Sequence, residues 1–179
     1  PSEGKTFNAV HCATAFAQNG FKTVLVDADL RRPQLHSELL NGKSEYLGLS
    51  DYLSELASLE QTISSTEMEN LDLIPAGRHC PKPTLVLSDA GFSALIERLL
   101  SDYDRVIVDS APVNAVSDTL LLARYLNGVC LVVQTGKTPR TAVERAVRLL
   151  EQSGANIVGT ILNRVRNGYG ADYYYYYYG

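Results

Sequence analysis

Three stretches of this 179-residue chain carry side chains suited to nucleotide phosphate. Pro1-Ser2-Glu3-Gly4-Lys5-Thr6 matches the second half of the pattern G-x-x-x-x-G-K-[ST]. In that pattern Gly4 lets backbone amides approach a phosphate, Lys5 reaches the β- and γ-phosphates, and Thr6 places a hydroxyl on Mg²⁺. The competing reading of the same residues is a glycine turn before a helix. Thr23-Val24-Leu25-Val26 is an apolar run that ends in Asp27-Ala28-Asp29-Leu30-Arg31-Arg32-Pro33. Two carboxylates at i and i+2 can both reach a site at a strand's carboxyl end once the chain has left the strand. There they can take Mg²⁺ or draw a proton from a hydroxyl; the competing reading is a polar loop held by Arg31 and Arg32. Arg105-Val106-Ile107-Val108-Asp109 is the third stretch, an apolar run ending in a carboxylate that can hold a Mg²⁺ shell. The order of the three is more specific than any one of them.

The chain ends in acceptors for such a phosphoryl group. Tyr173, Tyr174, Tyr175, Tyr176, Tyr177 and Tyr178 are consecutive, and seven of the eleven tyrosines fall in the last eleven residues. Six consecutive rings point in every direction, so no one face can bury them, and the stretch has neither a helical nor a strand period. Residues 164–179 therefore read as a loose tail, and residues 1–163 as the core that would act on it.

Elements that position these groups follow from the pattern of apolar residues. Expected strands are Thr23–Val26, Leu71–Ile74, Arg105–Val108, Gly128–Val133 and Asn156–Leu162, alternating with helical stretches as in an α/β fold. Phe7 to Asn19 is predicted helical, with Gly20 just past its end, so a helix beginning at Lys5-Thr6 points its positive end at the nucleotide. Ser50 is expected to cap a short helix through Leu59. Ser88 is expected to start the helix carrying Phe92, Leu95, Ile96, Leu99 and Leu100, and Ser117 to cap the next. Thr138 is expected as N-cap of a helix with Pro139 first and Gly154 at its end. Gly77 to Pro83 reads as a surface loop. The strand that normally feeds a P-loop, and the first glycine of the motif, are expected upstream of residue 1.

Composition narrows the class. The formal charge is −4, which argues against nucleic acid as the main partner. No apolar run approaches the ~18 residues of a membrane span. Cys12, Cys80 and Cys130 are isolated and not at metal spacing, and are expected as reduced thiols in or near the core. His11, His36 and His79 form no cluster.

These motifs together resemble the cytoplasmic kinase domain of the bacterial tyrosine kinases (BY-kinases) of capsule and exopolysaccharide assembly. The resemblance rests on Val24 to Pro33, the strand ending in Asp109, Leu71 to Gly77, Gly136-Lys137-Thr138, Gly159-Thr160-Ile161-Leu162-Asn163 and the tyrosine cluster. It implies a P-loop NTPase fold, α/β with a mostly parallel central sheet flanked by helices, similar to the partitioning and septum-site ATPases. It also implies an ATP- and Mg²⁺-dependent protein-tyrosine autokinase. Such an enzyme would phosphorylate the tyrosine cluster in trans and regulate polysaccharide polymerisation and export. By the same resemblance Lys5 binds phosphate and Thr6 binds Mg²⁺. Asp27 is the base or orienter for the tyrosine hydroxyl, Asp29 assists at the metal and phosphoacceptor, and Asp109 holds the Mg²⁺ shell. Asn163 reads adenine, a cap on the strand-to-tail turn being the other reading. Implied partners are a membrane-anchored chain-length regulator, fused or separate, a ring-like homo-oligomer of the chain itself, and a cognate tyrosine phosphatase. The implied location is the cytoplasm, at the inner face of the plasma membrane.

The chain departs from the family pattern in two places. Ser2 stands where glycine is usual, and Ser110-Ala111-Pro112 replaces Thr-Pro-Pro. The alternative function is a partitioning or septum-positioning ATPase. Its K-G-G-x-G-K-T loop has glycines at the positions of Pro1 and Ser2, and its septum-type members end in a basic amphipathic helix where this chain ends in tyrosines. A catalytically idle scaffold with an aromatic binding tail is the non-enzymatic alternative.

Overall fold

A computed structural model describes residues 3–40, 46–87 and 90–165, which leaves Ser88, Arg166 and the tyrosine run outside the described residues. In chain order the elements are α1 (Lys5–Gln18), β1 (Thr23–Asp27), α2 (Leu35–Leu39), α3 (Leu49–Leu53), α4 (Leu59–Thr62), β2 (Ser64–Ser65), β3 (Leu71–Ile74), α5 (Pro83–Leu87), α6 (Ala90–Asp102), β4 (Arg105–Asp109), α7 (Asp118–Ala123), β5 (Val129–Gln134), α8 (Arg140–Gln152) and β6 (Ile157–Asn163).

All five residues of β1 are buried. A strand with both faces covered has no need of polar alternation, which is why Thr23 to Val26 reads as a continuous apolar run. Leu25 packs on one side with Ala13 and Ala17 of α1. Val24 and Val26 pack on the other with Phe92, Leu95, Ile96 and Leu99 of α6. The result is helix, sheet and helix in three layers around β1.

Strand order is β2-β3-β1-β4, with β3, β1 and β4 parallel and β2 antiparallel to β3. β5 and β6 form a separate parallel pair. The sheet therefore has a gap between β4 and β5, as expected where the strand that feeds the P-loop lies upstream of residue 1. Among the described residues, no strand pairs with the edges of β4 and β5 that line the gap. A cavity of about 470 Å³ runs there, walled by Val106, Val108, Val129 and Val132. Cys12 and Cys130, expected in or near the core, also line this cavity and are exposed, whereas Cys80 is buried.

Element ends show where local signals compete. The first helix starts at Lys5, as expected for a helix beginning at Lys5-Thr6, and Gly20 follows it at φ 83° as a left-handed stop. The stretch from Ser50 to Leu59 divides into α3 and α4, with Glu55 left-handed at φ 58° between them. Thr138 is not the N-cap of α8. Pro139 takes that position, and the Thr138 hydroxyl accepts the Gln134 N–H at 3.1 Å, turned back toward the end of β5. The two-residue β2 has too few positions to show a period and was not expected.

Phe92 is fully buried, and its ring lies 6.3 Å from that of Tyr125. Phe92→Ala is expected to destabilise the domain by about 3–5 kcal/mol, read from the urea midpoint at unchanged slope.

Candidate active site

The site forms where parallel strands end together. β1 and β4 pair in register, so Asp27 lies directly opposite Asp109. The Ala28 N–H then donates to the Asp109 carbonyl at 2.8 Å, locking the two strand exits together. The start of α1 closes the third side. Thr6 Oγ1 donates to Asp109 Oδ2 at 2.6 Å, across 103 residues of sequence.

Gly4 makes that approach possible. It caps α1 at φ 94°, a left-handed conformation that costs a residue with a Cβ about 1–2 kcal/mol. A Cβ at Gly4 would also sit 2.1 Å from Asn163 Nδ2. The first turn of α1 contains no acidic residue of its own to offset the positive end of the helix. The Lys5 ammonium is only partly exposed and lies 3.7 Å from Glu3 Oε2.

Asp27 is fully buried. Its Oδ1 accepts the Asp29 N–H at 3.2 Å, and its Oδ2 accepts the Gln34 and Leu35 N–H groups at 3.3 and 3.2 Å. Burial pushes its carboxyl up to about 7, and the Asp109 charge adds to this against those three N–H groups. Burial also raises Asp109; the Thr6 hydroxyl and the Lys5 charge oppose the shift and Asp29 reinforces it. Asp29, half-buried on the loop beyond, accepts the Arg32 N–H at 3.1 Å.

Two buried carboxylates side by side, with a hydroxyl on one and a lysine nearby, form a hard-oxygen site that suits Mg²⁺. Among the described residues no cluster of three or more His, Cys, Asp or Glu gathers as a complete ligand set.

Thus Gly4, Lys5, Thr6, Asp27, Asp29 and Asp109 converge at the carboxyl ends of β1 and β4. Asn163 joins them from β6, but its amide is already engaged. Nδ2 donates to the Glu3 carbonyl at 2.8 Å, and Oδ1 accepts the Arg164 N–H at 2.9 Å. Arg164 is left-handed at φ 56°, so Asn163 caps the strand-to-tail turn while holding the phosphate loop. Arg31 pairs not with Asp27 or Asp29 but with Asp118, through Nε at 2.6 Å. Asp118 was missed in the sequence because beside Ser117 it resembles any acidic first-turn residue. Tyr173 to Tyr178 lie outside the described residues.

Comparison with known proteins places this geometry. A family model described as an AAA domain matches residues 2–157. The tyrosine-protein kinase CpsD of Streptococcus agalactiae serotype III is 37% identical over 163 residues, covering 91% of this chain and 70% of that protein. The solved kinase domain of VpsO superposes with a TM-score of 0.87 at 36% identity, over 93% of this chain and 81% of that one. The cell division ATPase MinD of Pyrococcus furiosus shares the fold, with a TM-score of 0.75 at 23% identity, over 90% of this chain and 67% of that one.

Two outcomes follow from the site itself. Asp27 holds its proton to a higher pH when folded than when unfolded. Its contribution to the stability of the metal-free protein is therefore full below about pH 4 and falls as pH rises toward 7. Urea midpoints measured from pH 4 to 8 are expected to show this decline, and Asp27→Asn to flatten it. Gly4→Ala is expected to weaken MgADP binding about tenfold or more by calorimetry, from backbone strain and the contact with Asn163.

Proposed function

Because the chain belongs to the bacterial tyrosine-protein kinase (BY-kinase) family, we propose that it transfers the γ-phosphoryl group of ATP to the tyrosines of its own C-terminal tail, each tail entering the site of a neighbouring subunit. The enzyme class is that of its relatives, an ATP:protein-tyrosine phosphotransferase, and the P-loop NTPase fold binds nucleotide. The observation that carries the finer reading is the convergence of Thr6, Asp27 and Asp109 at the positive end of α1, in a chain that ends in six tyrosines.

In this reading the N–H groups of α1 and the Lys5 ammonium receive the β- and γ-phosphates. Bound Mg²⁺, held by Thr6, Asp109 and Asp29, would neutralise charge on the transferring group. A tyrosine hydroxyl is mostly protonated at neutral pH, its ordinary pKa being about 10. Asp29, half-buried at the mouth, accepts that hydrogen bond and aligns the oxygen. The phenol oxygen bonds to the γ-phosphorus as the bond to the bridging oxygen breaks, ADP leaves, and the phenol proton passes to the carboxylate and then to water. Asp27 was expected as base or orienter for the tyrosine hydroxyl; with its oxygens facing backbone N–H groups, it is assigned here a different part, holding the loop that carries Asp29. Asn163 serves adenine with the amide N–H and lone pair that its two structural bonds leave over.

The cavity between β4 and β5 suits an extended parallel strand leading into Gly4, with strand edges on both sides that are unpaired among the described residues, and apolar walls. We assign it to a segment preceding residue 1, which would complete the phosphate loop. Around this core, residues 1–163, the tail would extend from residue 164. Each phosphotyrosine adds about −1.5 to −2 charges, so a fully modified tail would carry more charge than the −4 of the unmodified chain. Such a tail would leave a carboxylate-lined site, opening a ring-like homo-oligomer and cycling polysaccharide polymerisation and export. A tyrosine phosphatase would reset it, and a membrane-anchored chain-length regulator, fused or separate, would hold the cycle at the inner membrane face.

Full-length protein incubated with MgATP and mapped by mass spectrometry is expected to carry phosphate on Tyr173 to Tyr178. Asp29→Asn, which removes the proton acceptor, should reduce it at least about 100-fold. Dilution should slow the reaction per molecule. ATP hydrolysis without tail phosphate would instead favour the positioning-ATPase reading, and a concentration-independent rate would rule out transfer in trans.

A further inference from the structure

The two loops that carry the site carboxylates are anchored to adjacent residues of one short helix. Asp118, at the start of α7 and 2% exposed, accepts Arg31 Nε at 2.6 Å and Arg31 Nη2 at 3.2 Å. Thr84, from α5, donates its hydroxyl to Asp118 Oδ1 at 2.7 Å and accepts from Arg31 Nη2 at 2.9 Å. The next residue, Thr119, donates its hydroxyl to the Ala111 carbonyl at 2.5 Å and lies 3.4 Å from Ser110 Oγ. Arg31 follows Asp29 by two residues, and Ala111 follows Asp109 by two. One helix end therefore grips both loops at the same offset from their carboxylates.

We propose that Asp118 and Thr119 form a clamp that sets the span between Asp29 and Asp109, with Arg31 a positioning residue rather than a phosphate ligand. A guanidinium held by both carboxylate oxygens has a fixed fork geometry that an ammonium cannot copy. The third hydrogen bond, to Thr84, leaves it little freedom to swing toward nucleotide. A buried carboxylate cannot be left unpaired cheaply, so Asp118 keeps Arg31 in place, and Arg31 keeps the Asp29 loop closed. The Thr119 bond does the same for the loop after β4. Mg²⁺ tolerates little error in the position of its oxygens, so clamp loss should be felt as metal affinity before it is felt as tail binding. This inference rests on the Mg²⁺-nucleotide reading of the site.

The test uses the full-length protein with Arg31→Lys, Thr84→Val and the neutral pair Arg31→Gln/Asp118→Asn, which avoids stranding a buried charge. Four readouts are needed: melting temperature, the Mg²⁺ concentration giving half-maximal ADP binding, kcat and KM for tail phosphorylation, and hydrogen exchange of residues 28–34. The pair is expected to remain folded. Its half-saturating Mg²⁺ should rise about tenfold or more, as for other outer-shell substitutions, with lower kcat, unchanged KM for the tail and faster exchange of the loop. Arg31→Lys should fall between the pair and the unmodified protein. If the pair does not fold, Thr84→Val and Arg31→Lys carry the same comparison. Folded variants with unmodified Mg²⁺ dependence and loop exchange would overturn the clamp. Failure of the unmodified protein to phosphorylate its tail would count against the kinase reading of the tail alone, since metal-dependent ADP binding and loop exchange still decide the clamp.

Discussion

The in-register parallel pairing of β1 with β4 is the constraint on which the rest of the site depends. It forces Asp27 and Asp109 to emerge side by side, out of water, at the carboxyl edge of the sheet. Burial there works against ionisation and raises both carboxyls; the Asp109 charge adds to the shift of Asp27, and the Asp29 charge to that of Asp109. The surroundings answer that cost in pieces: three backbone N–H groups on Asp27, a hydroxyl and a lysine near Asp109. None of these supplies a full compensating charge at contact distance.

The layered architecture explains how short motifs acquire this precision. β1 is buried on both faces, so its register and direction are fixed by two independent cores. The loop leaving β1 buries Ala28 and Leu30 in the apolar core, and the loop leaving β4 buries Ala111. Polar contacts to α7, to α5 and to the first turn of α1 hold the parts nearer the site. A rigid sheet with polar-tethered loops places functional groups precisely while leaving the loops their own chemistry. MinD and VpsO share this frame with the chain. What separates an ATPase from a tyrosine kinase on one frame lies in the groups around the site and in what is delivered to it.

Much of the core was legible because its code is local. Five strands, the first helix and its glycine stop are all visible as runs, periods or punctuation within a dozen residues. Where two local signals met, the structure arbitrated. Thr138 and Pro139 both suit a helix start, and the threonine hydroxyl found a better partner in the end of β5. The thiols were read as core because isolated cysteines are usually buried. Cys12 and Cys130 instead face a gap between strands that composition cannot register.

By itself the sequence determined which groups are available: a lysine and threonine after a glycine, carboxylates at strand ends, and a run of phenols. Each is recognisable because its chemistry requires those residue types at short spacing. Only the tertiary structure decided which of them meet. Thr6 bonds Asp109 across 103 residues, Arg31 reaches Asp118 across 87, and Asn163 fastens to Glu3 across 160. Asn163 and Asp118 carry no local mark of these roles, because a hydrogen bond constrains distance in space and leaves sequence separation free. Their roles exist only once the hydrophobic layers have closed and brought the strand ends together.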